Sequence, residues 1–364
     1  MLSQTDVINK HIPQLDGIRG MAILLVISYH YLGSIPLFSF GWCGVDLFFV
    51  LSGYLITSRL LDLQNQKNPL IKFYTNRALR ILPLYYLTLI IFYAGFNLLV
   101  NNENFYLFRF YNYNWASFAL FFQNWTLIHY TGVKENYLNH FWSLAIEEQF
   151  YLIWPFFLYK FRGKKFFYSL VFIIILLIII TRTFIYMQYS GSDEYTHFFC
   201  NTFCRMDAFL TGGCLLLLQK NIHAKQFILL YVAAFIAIVF GIYFTGNADV
   251  SNPFISTVGF TLIAIAFAGL IDAATGNSGS LIAILFNFRW LRFTGKISYG
   301  LYIFHWMILI LLDARLQQWM LRFTYFNNQA ARVVSLLICL SISYIISVIS
   351  YFYFEMYFLK RKVH

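Results

Sequence analysis

Long apolar segments, most of them near the length needed to cross a bilayer, recur along the chain from residue 16 to residue 354. A membrane-spanning helix needs roughly 20 predominantly apolar residues, and in lipid only a helix or a closed barrel satisfies its own backbone groups. We therefore predict an all-α, polytopic bundle of about ten transmembrane helices, forming a single domain over residues 1–364. The predicted spans are 16–34, 43–61, 81–100, 142–160, 166–186, 203–219, 226–245, 254–272, 297–314 and 332–354.

The composition agrees with a membrane protein. Hydrophobic residues make up 60% of the chain and charged residues only 11%, whereas an ordinary soluble domain carries about 25% charged residues. The formal net charge of +11 could by itself suggest a nucleic-acid partner. The distribution of the charges offers a different explanation, and we expect a lipid bilayer and no nucleic acid around this chain.

The basic residues alternate with the predicted spans. If both termini and every second loop are cytoplasmic, 19 of the 26 Lys and Arg residues fall on the cytoplasmic side. Such an excess is the positive-inside pattern of membrane proteins. The 19 residues are Lys10, Arg19, Arg59, Lys67, Lys72, Arg77, Arg80, Lys160, Arg162, Lys164, Lys165, Lys220, Lys225, Arg289, Arg292, Lys296, Lys360, Arg361 and Lys362.

Two ionisable residues lie in the first span, eleven positions apart. Eleven residues are close to three helical turns, so Arg19 and His30 share one helix face, roughly 16 Å apart along the axis. Arg19 could simply anchor the inner headgroup level while His30 reaches the outer one. Alternatively, His30 is functional, because an ionisable group in a span usually faces a cavity and an imidazole transfers protons near neutral pH.

Two further groups lie at the start of the second span and just before the third. Asp46 either caps its helix or supports the His30 imidazole. Arg77 and Arg80 lie three residues apart in a predicted cytoplasmic loop, and they either anchor the chain to the headgroups or bind a phosphorylated ligand as a pair.

The fourth span opens with aromatic and acidic residues. Glu147 and Glu148 point about 100° apart on a helix, so only one faces inward easily, and Trp142 lies at the same end.

Later spans add an expected ion pair between Arg205 and Asp207. One polar face of the ninth span carries Ser298, Tyr302 and His305. The five cysteines form no ligand cluster, and we predict no metal site.

Six segments, in this order, resemble the membrane acyltransferase-3 family, which includes bacterial O-acetyltransferases of cell-surface polysaccharides. They are LDGIRG followed by His30, GVDLFFVLSGYLIT, RALRILPLYY, HFWSLAIEEQFYLIWP, RMDAFLTGG and GKISYGLYIFH. The chain departs from the family pattern at Asn76, where a further Arg is usual, and after Glu355, where a basic residue and Pro are usual. The hydrolase-like domain that some relatives carry after the membrane part is not expected here.

The resemblance implies transfer of an acyl group, most simply from cytoplasmic acetyl-CoA, to a glycan hydroxyl at a bacterial inner (plasma) membrane. His30 would be the base or the covalent acyl carrier, with Arg19, Asp46 and Glu147 also catalytic. The remaining candidates would bind the substrates, and the oligomeric state is left open. The expected substrate-binding residues are Arg77, Arg80, Glu148, Trp142, Arg205, Asp207, Ser298, Tyr302 and His305. A transporter of a sugar or small anion is the alternative, because buried charges are equally typical of solute pathways.

Overall fold

The computed structural model describes residues 12–99, 105–129, 137–189, 196–219, 224–276, 279–323 and 327–362. Within these ranges the chain is helical and contains no β-strand, as predicted. The α-helices are α1 (Pro13–Leu32), α2 (Gly44–Leu63), α3 (Pro69–Leu99), α4 (Phe105–Ala119), α5 (Gln123–His129), α6 (Trp142–Phe161), α7 (Phe167–Tyr189), α8 (Thr196–Phe199), α9 (Thr202–Leu218), α10 (Ala224–Thr245), α11 (Phe260–Gly276), α12 (Leu281–Phe286), α13 (Arg289–Lys296), α14 (Ser298–Met320), α15 (Asn328–Ile349) and α16 (Met356–Leu359). Short 3₁₀ segments lie at Pro36–Cys43 and Asn139–Phe141, and π-helical turns at Ile255–Gly259 and Ser350–Glu355.

Each of the ten predicted spans coincides with a helix. Seven helical stretches in the described ranges are long and apolar enough to cross a membrane. Helices α1, α6 and α9 are not among the seven, and these three carry most of the candidate site residues in their sequences. The chain therefore folds as a helical membrane bundle in which the polar helices lie among apolar ones. Lys10 and Lys220 of the charge pattern lie outside the described residues.

Arg77 and Arg80 were expected on one helical face just before the third span, and both lie within the long helix α3. This helix begins at Pro69, where the missing N–H and fixed φ of proline suit a first helical position. Arg and Leu are also good helix formers. The helix therefore extends about three turns before the apolar part of the predicted span, which holds both guanidinium groups at fixed positions.

The crossing of α2 and α9 is close enough to require a glycine on each helix. A Cβ at Gly53 of α2 would lie 2.0 Å from the carbonyl oxygen of Phe209 in α9, and one at Gly212 would lie 1.9 Å from that of Val50. These contacts hold α2 directly against α9, so that both helices contribute to the same interior.

We expect Gly53→Ala to lower the thermal unfolding midpoint of the protein in detergent. The new methyl group must displace the backbone of α9, and overpacking of this kind typically costs about 1–3 kcal/mol. Gly95→Ala in α3 is the matched control, because a Cβ there meets nothing within 4 Å and alanine favours the helix. Equal midpoints for the two variants would show that the α2–α9 crossing is looser than described.

Candidate active site

Three cavities follow one another through the middle of the bundle, and neighbouring cavities share lining residues. The first and second share Arg19, Leu55, Arg77 and Arg80. The second and third share Val45 and Tyr302. We name them the basic cavity, the central cavity and the histidine cavity, with volumes of about 350, 80 and 160 Å³ respectively.

The basic cavity is lined by five cations from four parts of the chain, and no acidic side chain lines it. Helix α1 supplies one of them, α2 one, α3 two and the segment after α16 the last. Arg19 pairs with the Asp16 carboxylate at 3.1 Å. The other like charges around the cavity repel one another, and a bound anion would offset that repulsion. The residues that line it are Arg19, Leu55, Arg59, Phe73, Asn76, Arg77, Arg80 and Lys362.

Polar groups from α2, α6 and α14 line the central cavity. Glu147 accepts hydrogen bonds from the hydroxyls of Ser52 and Tyr151. The guanidinium of Arg77 lies 4.7 Å from the centroid of the Tyr151 ring. Ser298 also lines this cavity, so the predicted polar face of the ninth span does point inward.

At the far end from the basic cavity, two histidines from distant parts of the chain contact each other. The Nδ1 atom of His30 lies 2.8 Å from the Nε2 atom of His305, and the two ring planes are nearly parallel, with centroids 5.0 Å apart. His30 lies in the last turn of α1 and His305 in the first half of α14. A cavity-facing His30 agrees with the functional interpretation of the first span.

The partners of His305 determine which nitrogen of His30 carries the lone pair. His305 Nδ1 lies 2.9 Å from the carbonyl oxygen of Leu301. A carbonyl oxygen only accepts, so Nδ1 of His305 must be protonated and its Nε2 is the acceptor when the ring is neutral. His30 therefore donates its Nδ1–H to His305, and its Nε2 keeps a lone pair. That arrangement gives the His30 ring one fixed orientation and one basic atom.

A third imidazole, which the sequence analysis did not select as a site residue, belongs to the same cluster. His140 is 4% exposed, and its ring lies 5.3 Å from that of His305. Its Nε2 lies 3.1 Å from the carbonyl oxygen of Ile303, so Nε2 donates and Nδ1 holds the lone pair. His140 lies two residues before the predicted fourth span, and its sequence signal was its place at the start of the segment HFWSLAIEEQFYLIWP.

Six Phe, Tyr and Trp side chains belong to the wall of the histidine cavity. Trp306 lies 4.6 Å from the His30 ring centroid, and Trp142 lines the cavity as well, in line with its predicted place among the substrate-binding residues. None of the lining residues is Asp, Glu, Lys or Arg. The lining consists of Val26, Tyr29, His30, Trp42, Val45, Asn139, His140, Trp142, Thr196, Phe199, Cys200, Tyr302 and Trp306.

Tyr302 stands between the central cavity and the histidine cavity. Its hydroxyl donates to the carbonyl oxygen of His140 at 2.8 Å and contacts the Ser143 hydroxyl. With Val45 it forms the partition between the two spaces. Arg19 and His30 therefore face cavities on opposite sides of this partition.

The predicted ion pair between Arg205 and Asp207 is wrong. Arg205 contacts Asp46 at 2.8 Å, and Asp207 contacts Arg182 at 3.1 Å. Residues two apart on a helix do not face each other, which is why both found partners on other helices. The Arg205 guanidinium lies 3.9 Å from the Phe260 ring centroid, so this buried cluster stabilises the packing of α2, α7, α9 and α11.

Two carboxylates predicted to support His30 make other contacts. Asp46 pairs with Arg205, and Glu147 with Ser52 and Tyr151, so the support that His30 receives in the described structure comes from His305. Glu148 is largely buried and lines none of the three cavities. The catalytic and binding roles of these three acids remain predictions.

The sequence matches the family described as "Acyltransferase domain" over residues 12–351. The chain belongs to this family. The match includes α1 to α15, and thus the residues of all three cavities except Lys362. The resemblance inferred from the six segments is confirmed.

Several members of the acyltransferase family are similar to this chain. Peptidoglycan O-acetyltransferase OatA of Listeria monocytogenes is 32% identical over 83% of this chain and 50% of its own length. The putative peptidoglycan O-acetyltransferase YrhL of Bacillus subtilis is 32% identical over 83% of this chain and 49% of its own length. O-acetyltransferase OatA of Staphylococcus aureus is 30% identical over 84% of this chain and 52% of its own length. This chain thus spans about half the length of these relatives. No solved structure matches it.

Proposed function

We propose that this acyltransferase moves an acyl group, most simply acetyl, from acyl-CoA to a hydroxyl of a cell-surface glycan. The observation that carries the proposal is the order of the cavities: five cations at one end, an oriented imidazole at the other and a polar space between them. The O-acetyltransferase relatives support both the acetyl group and the glycan acceptor.

The donor would enter from the basic cavity. Coenzyme A carries a diphosphate and a further phosphate, and guanidinium groups bind phosphate oxygens with paired, charge-assisted hydrogen bonds. Arg77 and Arg80 would hold these phosphates with Arg19, and the cavity adds Arg59 and Lys362. The pantetheine arm would then extend through the central cavity toward Tyr302.

The chemistry would take place at the Nε2 atom of His30. As a general base, this atom removes the proton of the acceptor hydroxyl while the oxygen attacks the thioester carbonyl. His305 accepts the Nδ1–H hydrogen bond and stabilises the imidazolium that results. The proton then returns to the leaving thiolate of coenzyme A. In the alternative pathway, Nε2 first takes the acyl group itself and passes it to the hydroxyl.

The orientation follows from the charges. The five cations of the basic cavity all belong to the set that the positive-inside pattern assigns to the cytoplasm, where acyl-CoA is made. His30, His140 and Trp42 lie at the opposite helix ends, so we propose that the histidine cavity faces the outer surface of a bacterial plasma membrane. Both termini would be cytoplasmic.

Labelled acetyl-CoA supplied to inside-out membrane vesicles tests the proposal. We expect labelled glycan inside vesicles that contain the wild-type protein. We expect none inside vesicles that contain His30→Ala. Label that stays on the protein without acceptor would identify His30 as a covalent carrier rather than a base. A transporter would instead move a sugar or small anion at a rate that survives His30→Ala, and that outcome would contradict acyl transfer.

We expect the apparent KM for acetyl-CoA to rise between pH 7 and pH 9. Burial, together with the positive charges of Arg80, Arg77, Arg19 and Arg59, lowers the pKa of Lys362 to about 8. The ammonium form, which attracts phosphate, is therefore lost as the pH rises through 8, while the phosphates themselves, with a second pKa of about 6, stay ionised. The expected increase in KM is about 3- to 10-fold.

Substitutions separate Lys362 from other titrating groups. Lys362→Arg should keep a low KM across the range, since arginine stays charged, and Lys362→Gln should give a high KM at every pH. The nearby Lys360→Gln, whose side chain is exposed, should retain the wild-type profile. A pH dependence unchanged in Lys362→Gln would remove this residue from the donor site.

A further inference from the structure

Two buried polar atoms in the wall of the histidine cavity have no hydrogen-bond partner among the described residues. They are Nδ1 of His140 and Oγ1 of Thr196, and both side chains line the cavity. Native structures satisfy the great majority of buried polar groups. The two atoms therefore indicate that a polar ligand completes this cavity.

The polarity of these atoms restricts the ligand to one that donates hydrogen bonds. His140 Nδ1 presents a lone pair because Nε2 donates to the Ile303 carbonyl. His30 Nε2 presents a second lone pair because Nδ1 donates to His305. The Thr196 hydroxyl both donates and accepts. A molecule with several hydroxyl groups matches this set, whereas a carboxylate or a phosphate would bring further acceptors toward lone pairs.

The rest of the wall suits the apolar faces of a sugar ring. The cavity is lined by Tyr29, Trp42, Trp142, Phe199, Tyr302 and Trp306. Aromatic faces are the negative ends of the ring quadrupole and attract the C–H bonds of a pyranose. Its volume of about 160 Å³ holds roughly ten water-sized groups, about the number of heavy atoms in one pyranose unit.

We infer that the histidine cavity binds one pyranose unit of the acceptor, in an inference that rests on the proposed function. The ring lies against the aromatic wall, beside Trp306. One hydroxyl donates to His30 Nε2 and is the one acylated, a second donates to His140 Nδ1, and a third exchanges a hydrogen bond with Thr196. His140 and Thr196 thus determine which hydroxyl reaches His30.

The test measures sugar binding and acyl transfer separately, with the full chain in nanodiscs. The probe is the β-1,4-linked tetramer of N-acetylglucosamine. We expect it to quench tryptophan fluorescence, because three tryptophans line the cavity. Thr196→Val and His140→Asn should each raise the dissociation constant and the acceptor KM about 3- to 10-fold, which is the loss of one hydrogen bond. The KM for acetyl-CoA should stay within twofold of wild type.

The controls are Thr183→Val in α7, whose hydroxyl bonds to the Ile179 carbonyl, and His129→Asn, which is exposed in α5. Neither should change the acceptor KM. Transfer that proceeds with an unchanged acceptor KM in Thr196→Val overturns the subsite, as does the absence of quenching in wild type. Quenching that Thr196→Val weakens, in a protein that transfers no acetyl group, supports the subsite and overturns the proposed function instead.

Discussion

Replacing His30 with alanine should lower the rate of acetyl transfer by about 10²- to 10⁴-fold, which is the usual contribution of a positioned general base. The Nε2 lone pair is lost, and the described contacts offer no other imidazole in its position. His305 Nε2 lies 2.8 Å from His30 Nδ1, and His305 is not among the residues that line the histidine cavity. The measurement is the initial rate of labelled acetyl transfer in proteoliposomes at saturating acetyl-CoA.

The histidine control is His129→Ala, in the exposed part of α5, which should retain full activity. Both variants should insert into the membrane and elute as the wild type does in size-exclusion chromatography. Full activity of His30→Ala would refute the proposed chemistry. Loss of membrane insertion would mean that His30 is required for packing, in which case His30→Gln, which keeps the volume, gives the decisive rate.

Neutralising Arg77 or Arg80 should raise the apparent KM for acetyl-CoA by about 10- to 150-fold, with a smaller change in kcat. Both guanidiniums line the basic cavity and the central cavity. A hydrogen bond to a charged group contributes about 1.5–3 kcal/mol, which corresponds to that range of KM. Initial rates at varied donor concentration measure the effect in Arg77→Gln and Arg80→Gln.

Arg289→Gln serves as the matched control. Arg289 is exposed at the start of α13 and carries the same charge on the same predicted side of the membrane. Replacing it should therefore leave the KM for acetyl-CoA within twofold of the wild-type value. A KM shift as large as that of Arg80→Gln would indicate general attraction by the positive surface. An unchanged KM in both cavity variants would move the phosphate site away from the basic cavity.

Apolar runs allowed the helices of this bundle to be predicted well, because each span needs its own continuous stretch of apolar residues. The apolar runs did not show where helices with polar ends begin. The third span was expected to begin at residue 81, since Arg77 and Arg80 interrupt the apolar pattern. The helix nevertheless begins at Pro69, because arginine has a high helix propensity and its charge can be accommodated in a cavity.

The partners of the site residues could not be predicted from the sequence, since they come from distant elements. His30 and His305 are 275 positions apart, and helical spacing relates only residues within one helix. Asp46 suggested itself as support for His30 because it begins the next span, yet it pairs with Arg205. Helix faces were predictable where several polar residues shared one, as with Ser298, Tyr302 and His305. Lone residues such as Arg182 gave no such pattern.

The partition formed by Tyr302 and Val45 has a consequence for the energetics of the cell. A water-filled passage joining the two ends of the bundle would conduct protons and discharge the membrane potential. The Tyr302 hydroxyl is held by the His140 carbonyl and by Ser143, so polar atoms at this level bond to one another. In the proposed function, such a hydrogen-bonded partition would keep the bilayer electrically insulating while a reactive thioester comes within reach of an outer acceptor.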